Sequence, residues 1–125
     1  MAVSPEYRAF MEDLVAPLGH VETRRMFGGM GVFYRGLMFI LVSGRDEAVY
    51  FKVDDDSRAD YEAEGCDPFT YLRGGEPRSL GSYYRVPDHV LDDPDTALAW
   101  ARRAAEAALN LEAAKARKGG RRRPR

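Results

Sequence analysis

Cysteine occurs once in this 125-residue chain, as Cys66, so no internal disulfide can staple the fold. A lone thiol fits a reducing compartment, and a cytoplasmic location is the expectation. Histidine is also scarce: His20 and His89 stand far apart, and no second His, Cys or acidic residue stands at metal-ligand spacing from His20. No apolar run approaches the roughly 20 residues that a membrane span requires. The opening MAVSPEYRAF has no basic segment leading into an apolar one, so no signal peptide is expected. Lysine numbers 3 against 16 arginines, a composition bias to which no function is attached. These shortages argue against a disulfide scaffold, a structural zinc module and a membrane-spanning protein.

Charge is balanced overall and unbalanced along the chain. Residues 1–111 carry 12 Lys+Arg and 19 Asp+Glu, a balance of −7, while residues 112–125 carry 7 Lys+Arg and one Glu, a balance of +6. An acidic body does not suit a nucleic-acid-binding domain, whose affinity comes largely from neutralising phosphates. The division predicts one folded domain over 1–111, then a basic helix end and a disordered arginine-rich tail over 112–125.

The stretch Arg24–Val53 organises that domain. At its centre Leu37-Met38-Phe39-Ile40-Leu41-Val42 contains no polar residue. A strand with one wet face alternates apolar and polar residues; an unbroken apolar ribbon asks for cover on both faces. Before it, Ser4-Pro5-Glu6 is a helix start, and Tyr7, Phe10, Met11, Leu14 and Val15 follow at helical spacing. Glu22–Tyr34 reads as one long strand, bent or bulged by the glycines of Gly28-Gly29-Met30-Gly31. Arg35-Gly36 and Gly44–Glu47 read as hairpin turns on either side of the apolar ribbon. Asp54-Asp55-Asp56-Ser57 opens a second helix, which Gly65 stops. Two further strands, Phe69–Arg73 and Arg78–Val86, flank a turn at Gly74–Pro77, and Gly81 marks a further bulge. Asp93-Pro94-Asp95 opens an alanine-rich helix that Gly119-Gly120 is expected to end. The order is α-β(3)-α-β(2)-α: an α+β domain with a mostly antiparallel five-stranded sheet and helices mainly on one face. Helices on one face alone leave the other partly protected, so that face or an edge of the sheet is expected to meet a second copy of the chain, giving a homodimer.

No catalytic set emerges. Gly28–Gly31 lies between two strand segments, whereas a phosphate loop joins a strand to a helix. The three aspartates lack the glycine and distal glutamate of a calcium loop. Cys66 has Glu64 and Asp67 beside it, which disfavours a thiolate. No catalytic residue, cofactor or metal is assigned, and the chain is read as non-enzymatic. The candidate interaction surface is Arg24, Arg25, Tyr34, Lys52, Tyr83, Tyr84 and Arg85, charged and aromatic residues on strands. In the tail, Arg121, Arg122, Arg123 and Arg125 are candidate nucleic-acid contacts. The alternative reading is a small-molecule or nucleotide-binding domain, or an unrecognised enzyme, that uses the Gly28–Gly31 loop near Arg25 and Lys52.

Several motifs together resemble a known family. Arg25-Met26-Phe27-Gly28-Gly29-Met30-Gly31-Val32-Phe33, Gly36-Leu37-Met38-Phe39 and Tyr50-Phe51-Lys52-Val53 are similar to the N-terminal domain of TfoX/Sxy proteins. So are Pro68-Phe69-Thr70-Tyr71, Tyr83-Tyr84-Arg85-Val86-Pro87 and Trp100-Ala101-Arg102. The resemblance implies a secretion-chaperone-like arrangement and a role akin to competence regulators, which assist the cyclic-AMP receptor protein at certain promoters. It implies a transcription-accessory, protein-binding module with no catalytic residues. It also implies a stand-alone copy, with an alanine-rich helix and arginine tail where full-length regulators carry a second domain.

Overall fold

A computed structural model describes residues 3–26 and 28–122, the last four by backbone alone. The elements are α1 (Pro5–Val15), a 3-10 turn (Ala16–Leu18), β1 (Val21–Met26), β2 (Gly29–Tyr34), β3 (Leu37–Val42), β4 (Val49–Lys52), α2 (Asp55–Ala63), β5 (Pro68–Arg73), β6 (Glu76–Arg85), α3 (Asp88–Leu91) and α4 (Pro94–Arg122). They form a mixed helix-and-sheet fold with an open antiparallel sheet, in the order β1-β2-β3-β4-β6-β5.

Six strands replace the expected five, because Glu22–Tyr34 is a hairpin rather than one bent strand. Met26 faces Gly29 across the reversal, and Gly28 sits there at φ 73°, a conformation that suits glycine. The bulge lies instead on β3. Val32 faces Ile40 but Phe33 faces Met38, so Phe39 is an extra residue. Phe39 and Ile40 are therefore both fully buried in the cluster under the helices. A second irregularity falls where Pro68 faces Tyr84 and Phe69 faces Leu80, beside Gly81 as expected.

Local chemistry starts the first two helices as predicted. The Ser4 hydroxyl accepts the Tyr7 N–H at 3.1 Å. Asp54 and Ser57 form a reciprocal capping box, each side chain accepting the other's backbone N–H at 2.9–3.0 Å. α3 is a short helix that the sequence pattern did not reveal. Met11 and Val15 of α1 and Ala97, Ala101, Ala104, Ala105 and Ala108 of α4 pack with Ile40, Val42, Val49 and Phe51 from the sheet. Alanine lets a helix backbone approach a sheet closely. Beyond Ala108 every described side chain of α4 is exposed, and the backbone stays helical through Gly119 and Gly120 to Arg122, past the expected stop. Propagation by one hydrogen bond per residue along an Ala, Lys and Arg run offsets the cost of two glycines. Residues 123–125 of the expected tail lie outside the described residues.

The apolar ribbon is half-buried at Leu37 and Met38 and fully buried beyond them. Phe39–Val42 are all buried, and Leu41, pointing away from the helices, is only 2% exposed.

Candidate functional site: a concave trough on the helix-free face

Directly opposed residues in an antiparallel ladder share a face. The register therefore puts Arg24, Gly31, Leu41, Tyr50 and Arg85 together on the side away from the helices. Phe33 and Met38 join them. Gly31 is the low point of this surface: a Cβ there would stand 2.6 Å from Met26 Sδ, 2.9 Å from Met38 Sδ and 3.1 Å from the Phe33 ring. The methionines and the phenylalanine thus fold into the space that the missing side chain leaves.

The sheet curls across this face. Met26 on one edge strand and Phe69, Tyr71 and Leu72 on the other border a single concavity of about 1010 Å³, with Leu41 from the central β3 also lining it. Gly28, Val42, Ser43, Gly44, Thr70 and Leu80 complete the wall, and among the described residues Arg45 is its one charged lining residue. Aromatic rings build one flank: Tyr50 meets Phe69 edge-on at 5.0 Å, and Phe69 stacks on Tyr71 at 6.1 Å. An apolar wall with aromatic rims and few polar groups is the make-up of a binding surface.

The seven predicted interaction residues do not form one surface. Arg24 lies on the trough side, paired with Glu22 at 3.2 Å and 4.4 Å above the Phe33 ring. Arg25, its neighbour, alternates to the helix side. Tyr34 packs edge-on against Phe39 at 6.2 Å, beside the helix-side core. Tyr84 belongs to that core, and its hydroxyl donates to Glu62 at 3.1 Å. Lys52 and Tyr83 face each other at the far end of β4, the ammonium 4.8 Å from the ring centre. Burial, then the nearby Lys115, holds Lys52 below its ordinary pKa. Tyr83 is 5% exposed, donates to the Met38 carbonyl at 2.9 Å and has its pKa pushed up to about 12 by burial. Arg85 is exposed and borders a smaller cleft of about 360 Å³ with Tyr50, Cys66, Asp67 and Asp88. Burial and then Glu64 push the Cys66 thiol up, away from thiolate reactivity. None of the seven lines the trough. Of the tail candidates, Arg121 and Arg122 continue the α4 backbone, while Arg123 and Arg125 lie outside the described residues.

Sequence reasoning missed Leu41, Phe69, Tyr71 and Leu80 as site residues. Apolar side chains on strands read as core, and only the curl of the sheet shows that these four line one concavity. Among the described residues no group of three or more His, Cys, Asp or Glu is placed to hold a metal ion, and no helix is long and apolar enough to cross a membrane.

A family model, TfoX N-terminal domain, matches residues 13–108. The chain belongs to the TfoX N-terminal domain family. The match begins in α1 and stops at Ala108, the last buried residue among those described. The matched residues thus hold most of the buried core, with Met11 of α1 just before them, and the basic end of α4 projects beyond them. No curated protein matches the chain.

Proposed function

We propose that this TfoX N-terminal domain is a non-enzymatic protein-interaction module with a transcription-accessory role. The family supports a competence-regulator-like domain. The observation that carries the reading is the trough: an apolar, aromatic-flanked concavity on a face that no helix covers. Its chemistry suits an apolar segment of a protein partner, with Arg45 available to an acidic group beside it. Binding to purified cyclic-AMP receptor protein, followed by fluorescence anisotropy with and without Tyr71→Ala, tests this. Saturable binding that the variant weakens is expected; no binding by the wild-type domain would remove the transcription-accessory role.

One observation favours a second reading. A volume of about 1010 Å³ bordered by Gly28 also suits a small apolar ligand. Neither Arg25 nor Lys52 lines it, so the phosphates of a nucleotide would find only Arg45. Enhancement of 1-anilinonaphthalene-8-sulfonate fluorescence that Leu80→Glu abolishes would support this reading. A subsidiary proposal concerns the basic run Lys115–Arg125, whose seven lysines and arginines, Arg121, Arg122, Arg123 and Arg125 among them, are fit to meet nucleic-acid phosphates. Deleting residues 119–125 should then reduce salt-sensitive retention on DNA, and unchanged retention would dismiss it.

A further inference from the structure

The two edge strands of the sheet are built differently. β1 (VETRRM) carries Glu22, Arg24 and Arg25, charges of the kind that guard an exposed edge against pairing. β5 (PFTYLR) has no charge from Pro68 to Leu72, and Leu72 is 71% exposed. We propose that two copies of this chain join through β5, antiparallel, with Thr70 on the two-fold axis.

The register follows from the hairpin. Gly74 and Gly75, at φ 60° and 82°, form a two-residue turn closed by Arg73 opposite Glu76. Such a turn closes on a hydrogen-bonded pair, so the main-chain groups of Arg73, Tyr71 and Phe69 point to β6 and those of Leu72 and Thr70 point outward. Asp67 fits this alternation, its carbonyl accepting the Arg85 N–H at 2.9 Å. Pro68, which has no N–H, falls on the outward side, where a proline is tolerated. Its carbonyl accepts from the Thr70 hydroxyl of its own strand, at a long 3.4 Å.

An antiparallel strand paired with its own copy is two-fold symmetric by construction. Centring it on Thr70 makes every position complementary. Thr70 exchanges both main-chain bonds with the other copy's Thr70. The Leu72 N–H donates to the other copy's Pro68 carbonyl, and the exposed Leu72 side chain lies on that proline. Phe69 faces the other copy's Tyr71 in the closer, non-hydrogen-bonded type of pair, a favourable aromatic match. Arg73 faces the other copy's Asp67, and neither residue takes part in an ion pair among the described residues. Centring on Tyr71 would instead set Arg73 against Phe69 and lose the charge match. The paired edge would also bring the two troughs side by side, whatever occupies them.

Sedimentation equilibrium is the test. The wild-type chain should be a dimer. Thr70→Pro, which removes an outward N–H and leaves the β5–β6 ladder intact, should be a monomer with unchanged circular dichroism. If that variant fails to fold, Arg73→Asp at an exposed position carries the test: two like-charge pairs should raise the dimer dissociation constant about tenfold, and adding Asp67→Arg should restore it. In a Cys66→Ser background, Thr70→Cys should oxidise to a covalent dimer, because a hydrogen-bonded pair about 5.5 Å apart at Cα is within disulfide reach. A monomeric wild type, a dimeric folded Thr70→Pro, or cross-linking through Tyr71→Cys instead of Thr70→Cys would overturn the proposal.

Discussion

Ile40 and Leu41 are neighbours on β3, both buried, and what buries them differs. Ile40 lies under helices, in a cluster with Phe51, Met11, Val15 and the α4 alanines. Leu41 lies under its own sheet, beside Gly31 and Tyr50, where Met26, Met38 and Phe33 fold inward. Short side chains on a helix bring one rigid backbone against another. Methionines and aromatic rings at a curled surface can shift to suit what arrives. The same apolar strand thus serves as the centre of a fixed wall on one side and as the base of an adaptable trough on the other.

Truncation on the two faces tests that contrast most strongly. Phe51→Ala removes a fully buried ring from the helix side, where packed backbones cannot close the gap, and should cost about 4 kcal/mol in urea unfolding. Leu41→Ala should cost about 2 kcal/mol, near the low end for such changes, because the trough beside it admits water or a shifting methionine. Equal losses would mean that the two faces are equally rigid.

Gly29→Ala probes the backbone approach beneath the trough wall. A Cβ at Gly29 would lie 2.1 Å from the Val42 carbonyl oxygen and 2.7 Å from the Gly44 nitrogen, both main-chain atoms. β2 and the end of β3 must separate to admit it, at about 3 kcal/mol. A variant as stable as wild type would show that this corner yields as the methionines do.

Tyr83 is the buried titratable group at the far end of the trough side. Its folded pKa is raised to about 12, against about 10 in an unfolded chain. A raised pKa means that the folded state holds the proton longer, so the stabilisation is complete below pH 10 and is lost as pH rises from 10 to 12. The loss is about 2–3 kcal/mol. Tyr61 shifts in the same direction, so the comparison is with Tyr83→Phe, whose stability should fall less steeply over that range. Identical slopes would place Tyr83 in contact with water.

Much of the helix-covered side was legible in the sequence, because its signals are local. Ser4 and Asp54 cap helices through atoms three residues away, and the unbroken run Leu37–Val42 calls for two-sided cover by composition alone. The trough was not legible, since Met26 and Phe69 are 43 positions apart and meet only when the sheet curls. The reversal at Gly28 was misread for a related reason: three glycines in four allow a bend or a hairpin, and the close fit of Gly29 against Val42 comes from another strand. Alternation also divided the predicted surface. Tyr84 and Arg85 are adjacent in sequence and lie on opposite faces, one in the core and one in the cleft.

Gly31→Ala should have the smallest effect, and for a reason opposite to Gly29. Its Cβ would collide with Met26 Sδ, Met38 Sδ and the edge of the Phe33 ring, all side-chain atoms and two of them at the ends of flexible chains. The backbone φ at Gly31 is not positive, so alanine meets no conformational penalty there. Strand propensity favours alanine slightly over glycine, which offsets part of the crowding. The expected loss is about 1 kcal/mol, with Met26 displaced toward the trough that it borders. The methyl resonances of Met26 and Met38, followed by NMR, should therefore shift more than the midpoint of unfolding does. A loss as large as that of Gly29→Ala, with those methyl signals unmoved, would show that the methionines are as fixed as the alanines under α4, and the contrast between the two faces would fail.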